Sequence, residues 1–316
     1  MRKSVGIDVG KEELFVHYRV TGESWVFKNS KKPRKKLLSL IKKLQAKLVV
    51  MEVTGNYHRD LVEELDSAGI EMLIANPKRV RDFAKGIGKV AKSDTIDAEV
   101  LSWYGEKSEE AATKLPSKKI RMLQDLCSRR EQLIEMLTQE KNRLSELPNS
   151  YPESAKTCLI QVIGSLKVNL KAIEKESQKL LESDDELKEK SQVLRRTKGV
   201  GPVVAMVLLA FMPELGQISK RQIASLSGVA PIIRQSGKFK GQRKIFGGRA
   251  AIRSALYMAA LSACRFDPRL EEFYQRLLEK GKRTKVAQVA CMRKLIIRLN
   301  ASMKEYLSGE VREVTA

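Results

Sequence analysis

Apolar and polar positions change rhythm twice along the chain. Over the first hundred residues the apolar runs are short and closely spaced. Lys3–Val9 ends in Gly10, and Leu14–Val20 and Trp25–Phe27 follow at once, a spacing that predicts an antiparallel meander of three strands. A basic helix comes next, carrying Leu37, Leu38, Leu40, Ile41 and Leu44 at helical spacing among lysines. Leu48–Val53 reads as a buried strand, Leu61, Val62, Leu65 and Ala68 as a helix, and Glu71–Ala75 as a fifth strand stopped by Pro77. Asp94–Tyr104 reads as a further helix.

Three meander strands followed by helix, strand, helix, strand and helix is the element order of a ribonuclease-H-like domain. From Ile120 the rhythm turns heptad-like, through Leu123, Cys127, Ile134, Leu137 and Leu144, with Arg130 and Lys141 interrupting. Pro148 and Pro152 break it. A second helical run carries Leu159, Val162, Leu166, Leu170, Ile173 and Leu180. Two long antiparallel helices fit this pattern, as a spacer and assembly surface without a chemical motif. The expected fold is therefore α/β plus α. Its parts are an N-terminal ribonuclease-H-like domain (1–110), a long helical coiled-coil-like insert (111–194) and a mostly helical C-terminal domain (195–316).

Charge adds a partner to this picture. The 316 residues hold 60 Lys and Arg against 38 Asp and Glu, a formal net charge of +22. Such an excess suits a polyanion, because each cation beside a phosphate releases a condensed counterion. Between Glu214 and Asp267 there is no acidic residue, while Lys220, Arg221, Arg234, Lys238, Lys240, Arg243, Lys244, Arg249, Arg253 and Arg265 all fall there. A solvated face normally mixes both signs, so this stretch points to phosphate. Cys127, Cys158, Cys264 and Cys291 lie far apart and read as reduced core residues. With only His17 and His58, a histidine metal site or a Ser-His-Asp triad is poorly supplied. No apolar run is long enough to span a bilayer and the N-terminus lacks a signal-peptide core, which predicts a soluble cytoplasmic protein.

Candidate chemistry gathers at both ends. Asp8 ends the first strand in Gly-Ile-Asp-Val-Gly, and Glu52 ends the fourth in Met-Glu-Val-Thr-Gly-Asn-Tyr-His. Charge at the tip of an apolar strand is costly unless it binds something, and in the expected fold these two strands are neighbours. Asp94 and Asp97, three apart, share one helix face. Four carboxylates and no histidine suit a hard cation, Mg2+ or Mn2+. Taken singly, Asp94 and Asp97 also fit a helix cap and first turn, and Asp8 a turn residue. Towards the C-terminus, Thr197–Ala205 resembles a helix-hairpin-helix turn in which Gly199 and Gly201 offer backbone N–H groups to phosphate, or else an ordinary Gly-Pro helix start. Ser236-Gly237 lies in a basic loop with Arg234, Lys238, Lys240, Arg243 and Lys244, before Gly247-Gly248 and a helix from Ala250 to Cys264. A serine there either attacks a phosphodiester or merely binds phosphate. No histidine stands ready to deprotonate it, which leaves the carboxylate–metal site as its activator.

Together these segments resemble the DEDD-type transposases of bacterial insertion sequences, the family numbered one-ten. The resemblance runs through Gly-Ile-Asp-Val-Gly-Lys, Glu-Val-Thr-Gly-Asn-Tyr-His, Lys-Ser-Asp-Thr-Ile-Asp-Ala, Gly-Val-Gly-Pro and Gly-Val-Ala-Pro…Arg-Gln-Ser-Gly. It implies a RuvC-like tetrad of Asp8, Glu52, Asp94 and Asp97, and Ser236 as nucleophile of the C-terminal transposase domain. It further implies a 5′-phosphoserine intermediate, donor and target double-stranded DNA, a structured noncoding bridge RNA as guide, and dimers that assemble into tetramers. The bacterial cytoplasm, at the nucleoid, is the implied location. One departure is Gly248-Arg249 followed by Ile252-Arg253, where relatives usually read Gly-Asn before a helix carrying Leu-Arg. Two other readings fit the residues: a metal-dependent nuclease or Holliday-junction resolvase that uses water, and a nucleic-acid-binding protein without activity.

Overall fold

The protein is described by a computed structural model covering residues 3–52, 55–89, 91, 93–232, 235–236, 239–240 and 244–309. The chain is mixed α/β and mostly helical, with its one large sheet at the N-terminal end. It divides into two compact units between Leu115 and Pro116.

In the first unit β1 (Ser4–Val9), β2 (Glu13–Tyr18) and β3 (Ser24–Lys28) form the expected antiparallel meander. Helix α1 (Lys31–Lys43) leads to β4 (Leu48–Glu52), α2 (Arg59–Ser67) leads to β5 (Met72–Ala75), and α3 (Pro77–Gly86) and α4 (Asp94–Lys107) follow. Strand order is β3-β2-β1-β4-β5, with β4 parallel to both β1 and β5. Alternation along the strands divides the side chains between two cores. Val5, Ile7, Val9, Val49 and Met51 pack with Leu37 and Ile41 of α1 and Leu61 and Leu65 of α2. On the opposite face Leu48, Val50 and Leu73 pack with Val80 of α3 and Val100, Leu101 and Tyr104 of α4.

Helix α3 is a departure from the sequence reading, which takes Pro77 only as a stop. Proline lacks the N–H a strand needs, but its fixed φ suits the first helical position. The Asn76 side chain accepts the Lys78 N–H at 3.0 Å, so one dipeptide ends β5 and starts α3.

Two glycines set how closely α4 lies on the sheet. A Cβ on Gly6 would stand 2.0 Å from the Ala98 carbonyl oxygen and 2.4 Å from the Ser102 nitrogen. A Cβ on Gly105 would stand 2.5 Å from Val50 Cγ2 and 3.0 Å from Ser4 Cβ. Polar bonds lock the same contact. Ser4 Oγ donates to the Ser102 carbonyl at 2.6 Å, and Ser102 Oγ donates to the Glu99 carbonyl at 2.7 Å. The Ser102 hydroxyl has one proton, so at 2.7 Å the buried His17 Nδ1 must donate to it. Burial also lowers the His17 pKa, consistent with a neutral ring.

The second unit is helical: α5 (Lys118–Ser145), α6 (Glu153–Glu182), α7 (Asp185–Arg195), α8 (Pro202–Phe211), α9 (Lys220–Leu226), α10 (Ala250–Phe266), α11 (Pro268–Glu279) and α12 (Thr284–Leu307). Four two-residue strands, β6 (Pro231–Ile232), β7 (Gln235–Ser236), β8 (Phe239–Lys240) and β9 (Lys244–Ile245), interrupt it between α9 and α10. Helices α5 and α6 pack along each other. Arg130 Nε donates to Glu174 Oε1 at 2.8 Å across the pair, and Lys119 Nζ to Asp184 Oδ2 at 2.9 Å near its base. Leu123, Cys127 and Leu181 join the core built by α7, α8, α9, α10 and α12. All four cysteines are free, but Cys158 is exposed and Cys264 only partly covered, so the expectation of four core thiols holds for Cys127 and Cys291 alone. No helix among the described residues is long and apolar enough to cross a membrane.

Because nothing flexible faces Gly6, Gly6→Ala is expected to destabilise the protein by roughly 1–3 kcal/mol, the usual range for overpacking. The measurement is the urea midpoint. An unchanged midpoint would show that α4 does not ride on β1 this closely.

Candidate active site

The carboxylates of the first unit converge by construction. Strands β1 and β4 are parallel and paired from Ser4↔Leu48 to Ile7↔Met51, so Asp8 and Glu52 are the next residues along both. Both alternate away from the α1–α2 core, Asp8 with Gly6 and Glu52 with Val50, and so face α4. Gly6 lies under Ala98 and Ser102 while Ser4 lies under Gly105, so α4 runs antiparallel to β1 and its first turn comes over Asp8. That turn carries Asp94 and Asp97.

Ser93 is the cap residue of α4: its Oγ accepts the Ile96 N–H at 3.3 Å. The capping alternative for Asp94 therefore falls away, since Asp94 is the first residue inside the helix and is exposed.

The electrostatics carry the convergence further. The Asp8 carboxyl is pushed up to about 6 from its ordinary 3.8, first by burial and then by the negative charges of Asp94, Asp97 and Glu52. Only its backbone hydrogen bond with Val9 works the other way. A half-buried acid pressed by three others is a strong attractor for a cation. The donor set also suits a hard ion, being all oxygen. Among the described residues, however, no three His, Cys, Asp or Glu side chains stand together as ligands of a single ion. The set fits a divalent cation in the chemistry of its donors, and side-chain rotation would have to bring them into a common shell.

Residues that the sequence reading passes over hold the neighbouring loops. Asn29 Nδ2 donates to the carbonyls of Gly10, at 3.0 Å, and Tyr57, at 3.1 Å, tying together the segments that follow β1 and β4. Arg34 steadies Asn29 through Oδ1 at 3.1 Å and is itself held by Asp60 and Glu64 at 3.0 Å each. The signal is present in the sequence: Arg34 is the one cation on the stripe of α1 otherwise made of Leu37 and Ile41, and it is buried. His58, at the start of α2, has its pKa lowered chiefly by burial, against a backbone hydrogen bond with Gly55 that works the other way.

In the second unit the stretch around Ser236 is a paired arm where the sequence reading expects a loop. Pro231 pairs Ile245 and Ile232 pairs Lys244, then Gln235 pairs Lys240 and Ser236 pairs Phe239. Ser236 is thus the last residue of β7, with two residues between it and the start of β8. Glycines close the base of the arm. Gly228 and Gly248 have φ of +67° and +71°, and a Cβ on Gly248 would stand 2.2 Å from the Gly228 nitrogen. The Arg249 N–H donates to the Leu226 carbonyl at 2.8 Å beside this crossing.

Two family models match the chain. One, a transposase family designated DEDD and IS110, matches residues 5–151, which include all four carboxylates. The other, described as Transposase IS116/IS110/IS902 family, matches residues 191–275, which include Ser236. The chain belongs to the IS110 family of transposases. The chain is also similar to the pilin gene-inverting proteins of Moraxella bovis and Moraxella lacunata. Each is 29% identical over 256 residues, which is 78% of this chain and 77% of the relative. A solved structure, T. thermophilus RuvC in complex with Holliday junction substrate, is 13% identical. It covers 36% of this chain and 100% of that one with a TM-score of 0.27, too low a likeness to support an inference.

The residues expected to meet nucleic acid in this transposase fall into three groups. Arg234, Lys238 and Arg243 lie outside the described residues, and Lys240 is described in its backbone alone, in β8. Lys244 is exposed in β9 and Gly201 is exposed at the start of α8, while Arg253 donates to the Gly247 carbonyl at 2.6 Å. Arg249 and Gly199 have structural tasks. Both terminal nitrogens of Arg249 hold Glu214, at 2.6 and 2.7 Å, and one also reaches the Phe211 carbonyl at 2.9 Å. Gly199, at φ +88°, leaves room for α10, since a Cβ would stand 2.6 Å from the Ala259 carbonyl oxygen.

The raised Asp8 pKa gives a pH signature. A proton on Asp8 stabilises the fold fully below its ordinary pKa near 4, and that contribution is lost as pH rises through about 6. In EDTA at pH 8, Asp8→Asn should therefore raise unfolding stability by on the order of 1–3 kcal/mol, and the gain should shrink towards zero by pH 4. Equal gains in urea melts at both pH values would contradict the convergence of charge.

Proposed function

We propose that this chain is a transposase that cuts and rejoins DNA through a covalent 5′-phosphoserine formed by Ser236. Asp8, Glu52, Asp94 and Asp97 would hold a divalent cation, Mg2+ or Mn2+, beside the reacting strand. The observation that carries the reading is the crowding of three carboxylates on Asp8, whose raised pKa is what a cation-binding cluster of acids would give with no ion bound. The two-part family assignment supports it, with the carboxylates in one matched segment and Ser236 in the other.

Ser236 Oγ attacks the phosphorus and loses its proton, the P–O3′ bond breaks, and the departing strand leaves as a 3′-hydroxyl. Attack of another 3′-hydroxyl on the phosphoserine reverses the step, returns the proton to serine and conserves the ester. A cation on the tetrad supplies charge neutralisation at the phosphate and lowers the pKa of the attacking oxygen. Arg234, Lys238, Lys240, Arg243 and Lys244 surround Ser236 in the sequence and supply the complementary charge for both DNA strands. In this reading the three functional parts are the carboxylate domain (1–110), the helical spacer (111–194) and the serine-bearing domain (195–316). The chain acts as dimers assembling into a tetramer, with a structured guide RNA choosing donor and target by base pairing.

With the full chain, the RNA that copurifies with it and a labelled duplex carrying the paired sequence in Mg2+, the wild type should give a protein–DNA adduct on a denaturing gel, and Ser236→Ala should give none. DNA affinity should change by less than about threefold, as expected for loss of one hydroxyl. An adduct that survives in Ser236→Ala would move the nucleophile to another residue, and a wild type that releases free 5′-phosphate ends without adduct would replace this mechanism with hydrolysis by water.

A further inference from the structure

Between Glu23 and Glu52 the chain has no acidic residue, while it carries Lys28, Lys31, Lys32, Arg34, Lys35, Lys36, Lys42, Lys43 and Lys47. Most of these cations belong to α1, and the helix sorts them. Arg34 turns inward with Leu37 and Ile41. Lys32, Lys35, Lys36, Lys42 and Lys43 are exposed on the opposite side, within an arc of about 120° at 100° per residue and along roughly 16 Å of helix axis. The adjacent acids do not neutralise them: Asp60 and Glu64 of α2 are engaged by Arg34, and none of the five lysines has an ion pair among the described residues. Five uncompensated cations on one face are expensive to keep together unless a polyanion meets them.

The position of this face decides what it can do. Leu37 and Ile41 pack beneath α1 on the side of the sheet that holds Val5, Ile7 and Val9. Asp8 and Glu52 lie on the other side, under α4. A sheet and a helix layer, each roughly 10 Å thick, separate the lysines from the carboxylates. A duplex on α1 is therefore a different segment from the one that reaches the carboxylates.

We propose that the outer face of α1 is a second DNA-binding surface, which grips the phosphate backbone of a duplex without reading its sequence. The face consists of lysines and Ser39, with no aromatic side chain for stacking, which argues against a single strand. Lysine offers a point charge without the bidentate geometry used to read bases. Five residues on about 16 Å match about five phosphates of one strand at 3.4 Å each along the B-form axis. The proposal rests on the family's action on DNA and is independent of the serine chemistry.

The test is the salt dependence of duplex binding by the full chain, followed by fluorescence anisotropy in EDTA with a 30-base-pair DNA of arbitrary sequence. Each phosphate that a lysine neutralises adds about 0.9 to the steepness of log K against log salt. The variant K32Q/K35Q/K36Q/K42Q/K43Q should lose about 3 or more from that slope. Its melting temperature should be no lower than that of the wild type, since like-charge repulsion is removed, and the corresponding five-arginine variant should keep the wild-type slope. A smaller loss overturns the proposal, as does an equal loss in the arginine variant, which would mark damage to the fold. A loss confined to duplex RNA or single-stranded DNA also overturns it. The phosphoserine assay with Ser236→Ala is untouched by any of these outcomes.

Discussion

Bringing four carboxylates to one place costs free energy, and the first unit is built so that the backbone bears that cost. Asp8 and Glu52 cannot move apart, because parallel strands in register fix their separation. Asp94 and Asp97 cannot retreat, because α4 is seated on Gly6 and Gly105 with no space for a side chain between. The repulsion therefore appears where it can still be relieved, in the protonation of Asp8. The Ser4–Ser102–His17 bonds hold this geometry on the sheet side, and the Asn29 bridge ties it at the loop ends.

Much of that arrangement is legible in the residues. Alternation along Ser4–Val9 and Leu48–Glu52 marks the strands, and the element order implies their adjacency, so the approach of Asp8 to Glu52 follows without coordinates. What alternation does not encode is the distance of a helix from a sheet. Gly6 and Gly105 look like ordinary small residues in a sequence, and only the crossing of α4 over β1 shows that they set it. Pro77 reads as punctuation because a strand precedes it, although Asn76-Pro77 is equally a helix start. Arg34 is hidden among lysines, since composition does not say which cation of a basic helix turns inward.

The serine segment is legible in composition and not in conformation. A stretch free of acids and rich in glycine reads as a basic loop, because two-residue strands are too short to show alternation. Its ends carry the conformational information instead. Gly228 and Gly248 adopt positive φ and cross at a separation that no side chain allows, which brings the two sides of the arm together and leaves Ser236 towards its far end. Arg249, next to this crossing, is spent on Glu214 and the end of α8. Charge counting alone assigns such a residue to DNA, and its bidentate partner assigns it to the scaffold.

The same distinction sharpens the meaning of a net charge of +22. Cations that hold carboxylates, as Arg34, Arg130 and Arg249 do, contribute to that total without being available to phosphate. Among the cations that remain, two groups stand without acids between them: a stretch around Ser236 in one unit, and a helix on the back of the sheet in the other. The carboxylates lie on the opposite side of the sheet from α1, so the DNA attraction proposed for α1 and the repulsion by the acids would be separated by the thickness of the sheet and its helices. An enzyme that must hold a polyanion while presenting a cluster of acids to one of its phosphates needs that separation, because neither charge is then cancelled by the other.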